Sequence, residues 1–211
     1  MGGAGGAGRP RRDDCARRRR QLMETAIELF LEHGYEGVSL EMIARRARAA
    51  VRTVYVQFGG KAGLFSQAMV HERQRLQGKA PALEADWRPM PEVLTDFGRR
   101  FHTRAVTPRA TALLRVVIAE AGGHPGLAQA YFNAGPAAMR SALTRYFSRP
   151  DIRAKLRADL SVEQVVIYLL SCLRGDQFAR FALGMPRAAA SNEHERQVEQ
   201  GIALFLAAAL A

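Results

Sequence analysis

Apolar residues recur at helical spacing in two short segments between residues 39 and 61. The first segment repeats Leu40, Ile43, Ala44 and Ala47, and the second repeats Val51, Val54, Tyr55 and Phe58. Each repeat predicts a helix with one buried face, and Ser39 is placed to cap the first helix. The second helix leaves four side chains facing outward: Arg52, Thr53, Val56 and Gln57. Two short helices joined by a tight turn are typical of a helix-turn-helix that enters a DNA major groove.

The rest of the chain also follows a helical period, and no segment alternates as a half-buried strand would. A helix is predicted over residues 13–33, which Gly34 ends, and another over residues 61–77. Further helices are predicted over residues 92–105, 108–121, 126–147 with a kink at Gly135-Pro136, 161–183 and 193–210. The sequence therefore predicts an all-α protein of about nine helices.

Glycine and proline mark the expected domain boundaries. Residues 1–12 are rich in Gly and Arg, which predicts a disordered basic tail. Residues 13–60 are expected to form the helix-turn-helix domain and residues 61–78 a connecting helix. Three prolines fall between residues 78 and 91, so residues 79–211 are expected to form a separate helical domain.

The charge of the chain favours a polyanionic partner. The formal net charge is +11 over 211 residues, and seven arginines lie between Arg9 and Arg20. A solvated tail, or a surface helix that is basic without contacting a ligand, would also explain these arginines. The charge alone is also compatible with a non-specific nucleic-acid-binding or architectural protein.

The composition also bears on compartment and catalysis. The two cysteines, Cys15 and Cys172, lack metal-ligand spacing and are expected to be free thiols in a reducing cytoplasm. The first residues lack the apolar core of a signal peptide, and no apolar run is long enough for a membrane span. The five histidines are scattered, with neither a nucleophile motif nor a metal cluster beside them. We therefore expect a cytoplasmic protein without enzymatic activity, cofactor, metal or membrane association.

One ordered set of residues lies within the first third of the chain: His33-Gly34-Tyr35, Gly37-Val38-Ser39-Leu40, Ile43-Ala44, Ala47, Thr53-Val54-Tyr55, Phe58, Lys61 and Leu64-Phe65. In order and spacing this set resembles the TetR family of bacterial transcriptional regulators. Three later segments resemble the C-terminal region of the AefR-like, efflux-repressor group: Val117-Ile118-Ala119-Glu120-Ala121, Tyr131 through Gly135-Pro136, and Leu173-Arg174-Gly175-Asp176.

The resemblance implies a homodimer with an N-terminal DNA-reading domain and a C-terminal domain for effector binding and dimerisation. The last two helices of each subunit, here residues 161–183 and 193–210, would form the dimer interface. The same apolar residues could instead pack within one subunit. Between the C-terminal helices a small hydrophobic effector is expected to bind, which would shift the spacing of the DNA-reading helices. The candidate pocket residues are Phe101, Arg115, Tyr131, Asn133, Asp176, Gln177 and Phe178.

Individual DNA-contacting roles follow from side-chain chemistry and from the resemblance. Arg52, Thr53 and Gln57 are candidate base readers, because arginine pairs with guanine and glutamine with adenine. Ser39, Tyr55 and Lys61 match family positions that usually hold phosphates, and the alternative for Tyr55 is a core aromatic with its hydroxyl at the surface. Arg48 adds a cation close to where a phosphate should lie.

The turn between the two helices departs from the family pattern. It reads Arg48-Ala49-Ala50 where Gly-Val-Ser is usual, so it is expected to be strained or reshaped, and Ala50 cannot cap the second helix. Gln57 replaces the usual histidine and Gly60 the usual serine. The sequence therefore predicts a TetR-type regulator, by family default a repressor, that binds a near-palindromic operator as a dimer and is released by its effector.

Overall fold

A computed structural model describes residues 12–77, 82–105, 107–175, 177–185 and 191–211. Within these ranges all regular structure is helical, apart from an isolated β-bridge between Leu156 and Leu210, which confirms the predicted all-α class. The predicted disordered tail lies outside the described residues except at Arg12. Cys15 and Cys172 are free thiols, as predicted. No helix in the described part of the chain is both long and apolar enough to cross a membrane.

The described residues form twelve α-helices, more than the nine or so predicted, because breaks divide two of the expected helices and one short helix lies in a connection. In chain order they are α1 Arg12–His33, α2 Leu40–Arg46, α3 Val51–Phe58, α4 Lys61–Gln77, α5 Met90–Ala105, α6 Pro108–Glu120, α7 Pro125–Phe132, α8 Ala138–Phe147, α9 Pro150–Arg153, α10 Val162–Arg174, α11 Gln177–Ala182 and α12 Ser191–Ala209. A 3-10 turn spans Leu83–Ala85, and a π-helical segment spans Asn133–Ala137.

The chain divides into two compact units, residues 1–72 and residues 73–211, with the division inside α4. The functional division predicted from the sequence, into residues 13–60, 61–78 and 79–211, stays a prediction.

The first unit is organised around three aromatic rings. Phe30 of α1, Tyr35 of the following turn and Phe65 of α4 contact one another, with ring centroids 5.3 to 5.6 Å apart. Phe30 and Phe65 are fully buried, as are Ile43 of α2 and Val54 of α3. Because each helix buries an apolar stripe in this cluster, the cluster fixes α2 and α3 against α1 and α4.

The core of the second unit is built by α5, α8, α10 and α12. Its largest buried side chains include Tyr146 and Phe147 of α8 and Phe205 of α12. The ring centroid of Phe147 lies 5.3 Å from that of Tyr146 and 5.9 Å from that of Phe205. Burial of the Tyr146 hydroxyl raises its pKa to about 12, since the interior disfavours the phenolate.

The prediction of a single helix over residues 161–183 is wrong, because the structure has two helices there, α10 and α11. The break is at Gly175, whose φ of +50° lies outside the range that other residues readily adopt. The predicted helix over residues 126–147 is also divided, into α7 and α8, at the expected Gly135-Pro136 position. Pro136 lies inside the π-helical segment, and a proline cannot donate the backbone hydrogen bond that a regular α-helix requires.

Candidate nucleic-acid interface

The first motif helix, α2, is fixed at both ends by side chains. The Ser39 hydroxyl oxygen accepts a hydrogen bond from the Met42 backbone N–H at 3.2 Å, which confirms the predicted cap. At the other end, the Arg46 guanidinium donates two hydrogen bonds to the Glu32 carboxylate of α1, at 2.7 and 2.9 Å. The bonds from Arg46 lower the pKa of Glu32. The pair therefore ties the end of α2 to the end of α1.

The turn after α2 has the hydrogen bonds of a Schellman motif. The Ala49 N–H donates to the Ala44 carbonyl at 2.8 Å, and the Arg48 N–H donates to the Arg45 carbonyl at 3.2 Å. Arg48 has a φ of +51° and occupies the left-handed position that glycine normally fills in this motif. The turn is thus strained rather than reshaped, because the backbone keeps the usual geometry with an arginine in the place of glycine. Ala50 precedes α3 without a side-chain cap, as predicted.

We expect Arg48→Gly to raise the free energy of unfolding by about 1 kcal/mol, because it removes the cost of a left-handed arginine. Ala50→Ser should add a similar amount, about 1 kcal/mol, by supplying the missing cap. Urea unfolding of the full chain measures both effects. Arg45→Gly is the matched control, since Arg45 lies in the last turn of α2, where glycine destabilises by about 1 kcal/mol. A loss of stability in Arg48→Gly comparable to that of the control would contradict the assignment.

The second motif helix, α3, presents a different outer face from the one predicted. Val54 and Phe58 are buried, whereas Tyr55, assigned to the apolar face, is 57% exposed. Gln57 was predicted to face outward, but it is half-buried and its Oε1 atom is fully buried. Successive helical residues are about 100° apart, so Tyr55 and Gln57 fall on opposite flanks of the Val54–Phe58 stripe.

The residue opposite the buried stripe of α3 is Val56, which is 77% exposed. Arg52 is exposed beside it, and Thr53 is half-buried. The helical period predicts that Val56 faces outward, but Val56 is not among the candidate DNA contacts predicted from the sequence. Its position opposite the buried stripe is the sequence feature that indicates such a contact. The outer face of α3 thus carries a guanidinium, a hydroxyl and an apolar side chain.

The predicted phosphate-contacting residues lie in different environments. Tyr55 is exposed on α3, Arg48 is exposed on the turn, and Ser39 is half-buried at the start of α2. Lys61, at the start of α4, donates from Nζ to the Glu36 carbonyl at 3.3 Å. Its Nζ also lies 4.3 Å from the centroid of the Tyr35 ring, so the ammonium is already held by the first unit.

The four successive arginines of α1 are not equivalent. Arg17, Arg18 and Arg20 are exposed, and Arg17 pairs with Asp14 at 3.0 Å. Arg19 is half-buried, and its guanidinium contacts the end of α3. A row of identical residues does not indicate which of them faces the core, so the sequence alone does not single out Arg19.

The candidate effector residues are scattered over the second unit. Phe101 of α5 is half-buried, with its ring 6.2 Å from the ring of Phe97. Arg115 of α6 is exposed and lies against Gly184, where an added Cβ would be 2.9 Å from its Nη1 atom. Tyr131 is half-buried, and burial raises its pKa. Asn133 is exposed and accepts a hydrogen bond from Gln129 at 2.8 Å.

The other three effector candidates lie, wholly or in their side chains, outside the part of the chain that the structure describes. Asp176 lies outside the described residues, as do the side chains of Gln177 and Phe178. An apolar groove of about 390 Å³ lies along α10 and α12, and its lining includes none of the four candidates whose side chains the structure describes. Its lining consists of Arg157, Leu160, Tyr168, Ser171, Cys172, Leu204, Phe205, Ala208 and Ala209.

A capped α2, a Schellman turn and an α3 with an exposed outer face form a helix-turn-helix, a motif typical of DNA-binding proteins. Comparison with known families agrees. The model described as "Bacterial regulatory proteins, tetR family" matches residues 22–68, and "AefR-like transcriptional repressor, C-terminal domain" matches residues 92–208. The chain belongs to the TetR family of bacterial transcriptional regulators. This is a family of DNA-binding regulators rather than of enzymes.

Individual relatives are similar in fold over most of the chain. The solved structure of the flavonoid-responsive regulator FrrA is 27% identical, with a TM-score of 0.77, and the match covers 92% of this chain and 98% of FrrA. A TetR-family regulator from Mesorhizobium loti is 23% identical, with a TM-score of 0.78 over 96% of this chain and all of that one. The HTH-type transcriptional repressor KstR of Rhodococcus jostii is 35% identical over 66 residues. That match spans 30% of this chain and only 31% of KstR.

Proposed function

We propose that this TetR-family regulator is a homodimeric repressor that reads a near-palindromic operator through α3 and is released by a small hydrophobic effector. The observation that carries the proposal is the outer face of α3, where Arg52 and Val56 are exposed beside Thr53. Two such helices related by a two-fold axis would enter successive major grooves, about 34–36 Å apart.

Base reading is assigned to Arg52, Thr53 and Val56. The Arg52 guanidinium suits bidentate pairing with guanine, and the Thr53 hydroxyl can donate or accept. An apolar side chain at the position of Val56 suits contact with a thymine methyl group. Gln57 is the weakest candidate, because pairing with adenine requires both the oxygen and the nitrogen of its amide, and its Oε1 is buried.

Phosphate binding is assigned to the residues that flank this face. The Ser39 hydroxyl accepts a hydrogen bond from Met42 and donates one to the Glu41 carboxylate, so a phosphate would take the place of Glu41 as acceptor. Tyr55 offers an exposed hydroxyl, and Arg48 an exposed cation on the strained turn. Lys61 carries three donors, so it could bind a phosphate while it keeps its bond to Glu36. Such contacts fix the register of the protein on DNA and make affinity fall steeply with salt.

Dimerisation is assigned to the outer faces of α10 and α12. Tyr168 of α10 is 46% exposed and Leu204 of α12 is 64% exposed, and both line the apolar groove. Small residues beside them, among them Ser171 and Ala208, would let a second copy approach closely. A continuous apolar face of this kind suits a self-complementary two-fold interface. Of the predicted helix over residues 161–183, only the part that forms α10 is assigned to this interface, together with α12.

Leu204→Glu is expected to convert the dimer to a monomer, because it places a charge in the centre of the proposed interface without disturbing the core. Light scattering coupled to size exclusion should give the mass of two chains for the wild type and of one for the variant. Ile118→Glu, at a 50% exposed apolar residue of α6, is the matched control and should stay dimeric. A wild-type monomer, or a dimeric Leu204→Glu protein, would disprove this interface.

Effector binding is assigned to the helices of the second unit. The relative FrrA is named as flavonoid-responsive, which supports a planar, largely apolar effector. The predicted residues Phe101 and Tyr131 offer aromatic surface for such a ligand, and Arg115 and Asn133 offer polar groups. Asp176, Gln177 and Phe178 stay candidates from the sequence. The effector would act by favouring a spacing of the two α3 helices that does not fit the operator.

The proposal is tested by fluorescence anisotropy with two DNA duplexes, a palindrome from the promoter of its own gene and a scrambled version of the same composition. We expect affinity for the palindrome to exceed affinity for scrambled DNA by about a thousandfold or more at the same salt concentration. Equal affinities would favour the alternative, a non-specific nucleic-acid-binding protein, which the basic tail alone would explain.

A further inference from the structure

Arg19 differs from its three neighbours in what its guanidinium contacts. Its Nη1 donates a hydrogen bond to the Gln57 carbonyl at 3.4 Å, and its Nη2 donates to Oε1 of Gln67. The guanidinium carbon also lies 4.7 Å from the centroid of the Phe58 ring. One side chain of α1 therefore contacts α3 through Gln57 and Phe58, and α4 through Gln67.

The site of contact on α3 is its last turn. The last four carbonyls of a helix have no donor within the helix, and the Gln57 carbonyl is one of them. A guanidinium also suits this end of a helix, where the backbone dipole is negative. The planar group can donate hydrogen bonds in its plane while its face lies over an aromatic ring, which the ammonium of lysine cannot do.

We propose that Arg19 is a positioning residue that sets the orientation of α3 against α1 and α4, rather than one of the cations that bind phosphate. This inference rests on the proposed role of α3 in reading bases. α3 has only eight residues, and its N-terminal end lacks a side-chain cap. Besides the burial of Val54 and Phe58 in the core of the first unit, its orientation therefore depends on what holds its C-terminal end.

A positioning role and a phosphate-binding role for Arg19 have different consequences for DNA binding. Loss of a phosphate contact weakens binding to every sequence alike and lowers the slope of log affinity against log salt by about one. Loss of a positioning contact moves the base-reading side chains, so it weakens binding to the operator while binding to scrambled DNA and its salt slope stay unchanged.

The experiment compares wild type, Arg19→Lys, Arg19→Gln and the control Arg20→Ala in the full chain, at several salt concentrations, with operator and scrambled duplexes. Arg19→Lys keeps the charge, and Arg19→Gln keeps a donor. Arg20 is exposed and next in sequence. We expect both Arg19 variants to lose about tenfold in operator affinity and Arg19→Lys to keep wild-type affinity for scrambled DNA. Arg20→Ala should lose affinity for both duplexes equally.

A second readout does not depend on DNA. Hydrogen exchange of the α3 amides should be several-fold faster in the Arg19 variants, while exchange in α2 stays unchanged. Equal losses on both duplexes in Arg19→Lys, or unchanged exchange in α3, would overturn the proposal. If wild type fails to distinguish operator from scrambled DNA but α3 exchange still rises in the variants, the proposed base reading is wrong and the positioning contact is supported.

Discussion

Arg52→Ala is expected to lower selectivity for the operator over scrambled DNA by about ten- to a hundredfold for each half-site, the range for loss of one bidentate base contact per subunit. Arg52 is exposed on the outer face of α3, beside Val56, and does not belong to the core of the first unit. Its removal should therefore leave the fold intact and remove a base contact. Fluorescence anisotropy with the two duplexes measures the ratio directly.

The matched control is Arg45→Ala, which removes the same charge from the exposed last turn of α2. That variant should weaken both complexes to a similar degree and leave the ratio unchanged. Alanine at Arg52, Thr53 and Gln57 together should abolish most of the selectivity, with Gln57 contributing least. If the triple variant kept wild-type selectivity, α3 would not be the element that reads bases.

Gly201→Ala is expected to lower the free energy of unfolding by about 1–3 kcal/mol or more, the usual cost of overpacking a well-packed core. Gly201 lies in α12, where a Cβ would stand 2.7 Å from the Cys172 carbonyl oxygen and 3.2 Å from its carbon. Both atoms belong to the backbone of α10, so they cannot yield as the end of a side chain could. The two helices would have to separate, which should also disturb the proposed dimer interface.

Urea unfolding monitored by circular dichroism measures this effect. Gly126→Ala is the control, because Gly126 is also helical but an added Cβ there meets nothing within 4 Å. The control should be neutral or slightly stabilising, since alanine has the higher helix propensity. Equal unfolding midpoints for the two variants would show that α10 and α12 do not pack as closely as described.

The elements of the first unit were largely predictable from sequence because local signals mark their ends. Ser39 caps α2, and Gly34 and Gly59 adopt the positive φ values, +73° and +75°, that end α1 and α3. The end of α10 at Gly175 is not marked in this way, although Gly175 is also a glycine. The apolar period continues past it, and sequence alone does not indicate which glycine in a periodic run will leave the helical conformation.

The outer face of α3 was predictable only in part. Its central residues, Arg52 and Val56, follow from the helical period, but the flanks depend on packing. Gln57 is half-buried at the C-terminal end of α3, where the side chain of Arg19, 38 positions earlier in the chain, contacts it. A contact over that sequence distance leaves no local pattern. The effector residues were harder still to predict, because a pocket depends on how several helices pack together.

Selection of binding sites from a pool of random duplexes tests the central claim most directly, because it assumes no operator in advance. For the full-length wild type, we expect enrichment of an inverted repeat whose half-site centres are about 10 base pairs, or one helical turn, apart. Arg52→Ala should relax the preference at one symmetric pair of positions. A pool that shows no shared motif after selection, although the protein binds the DNA, would contradict the account.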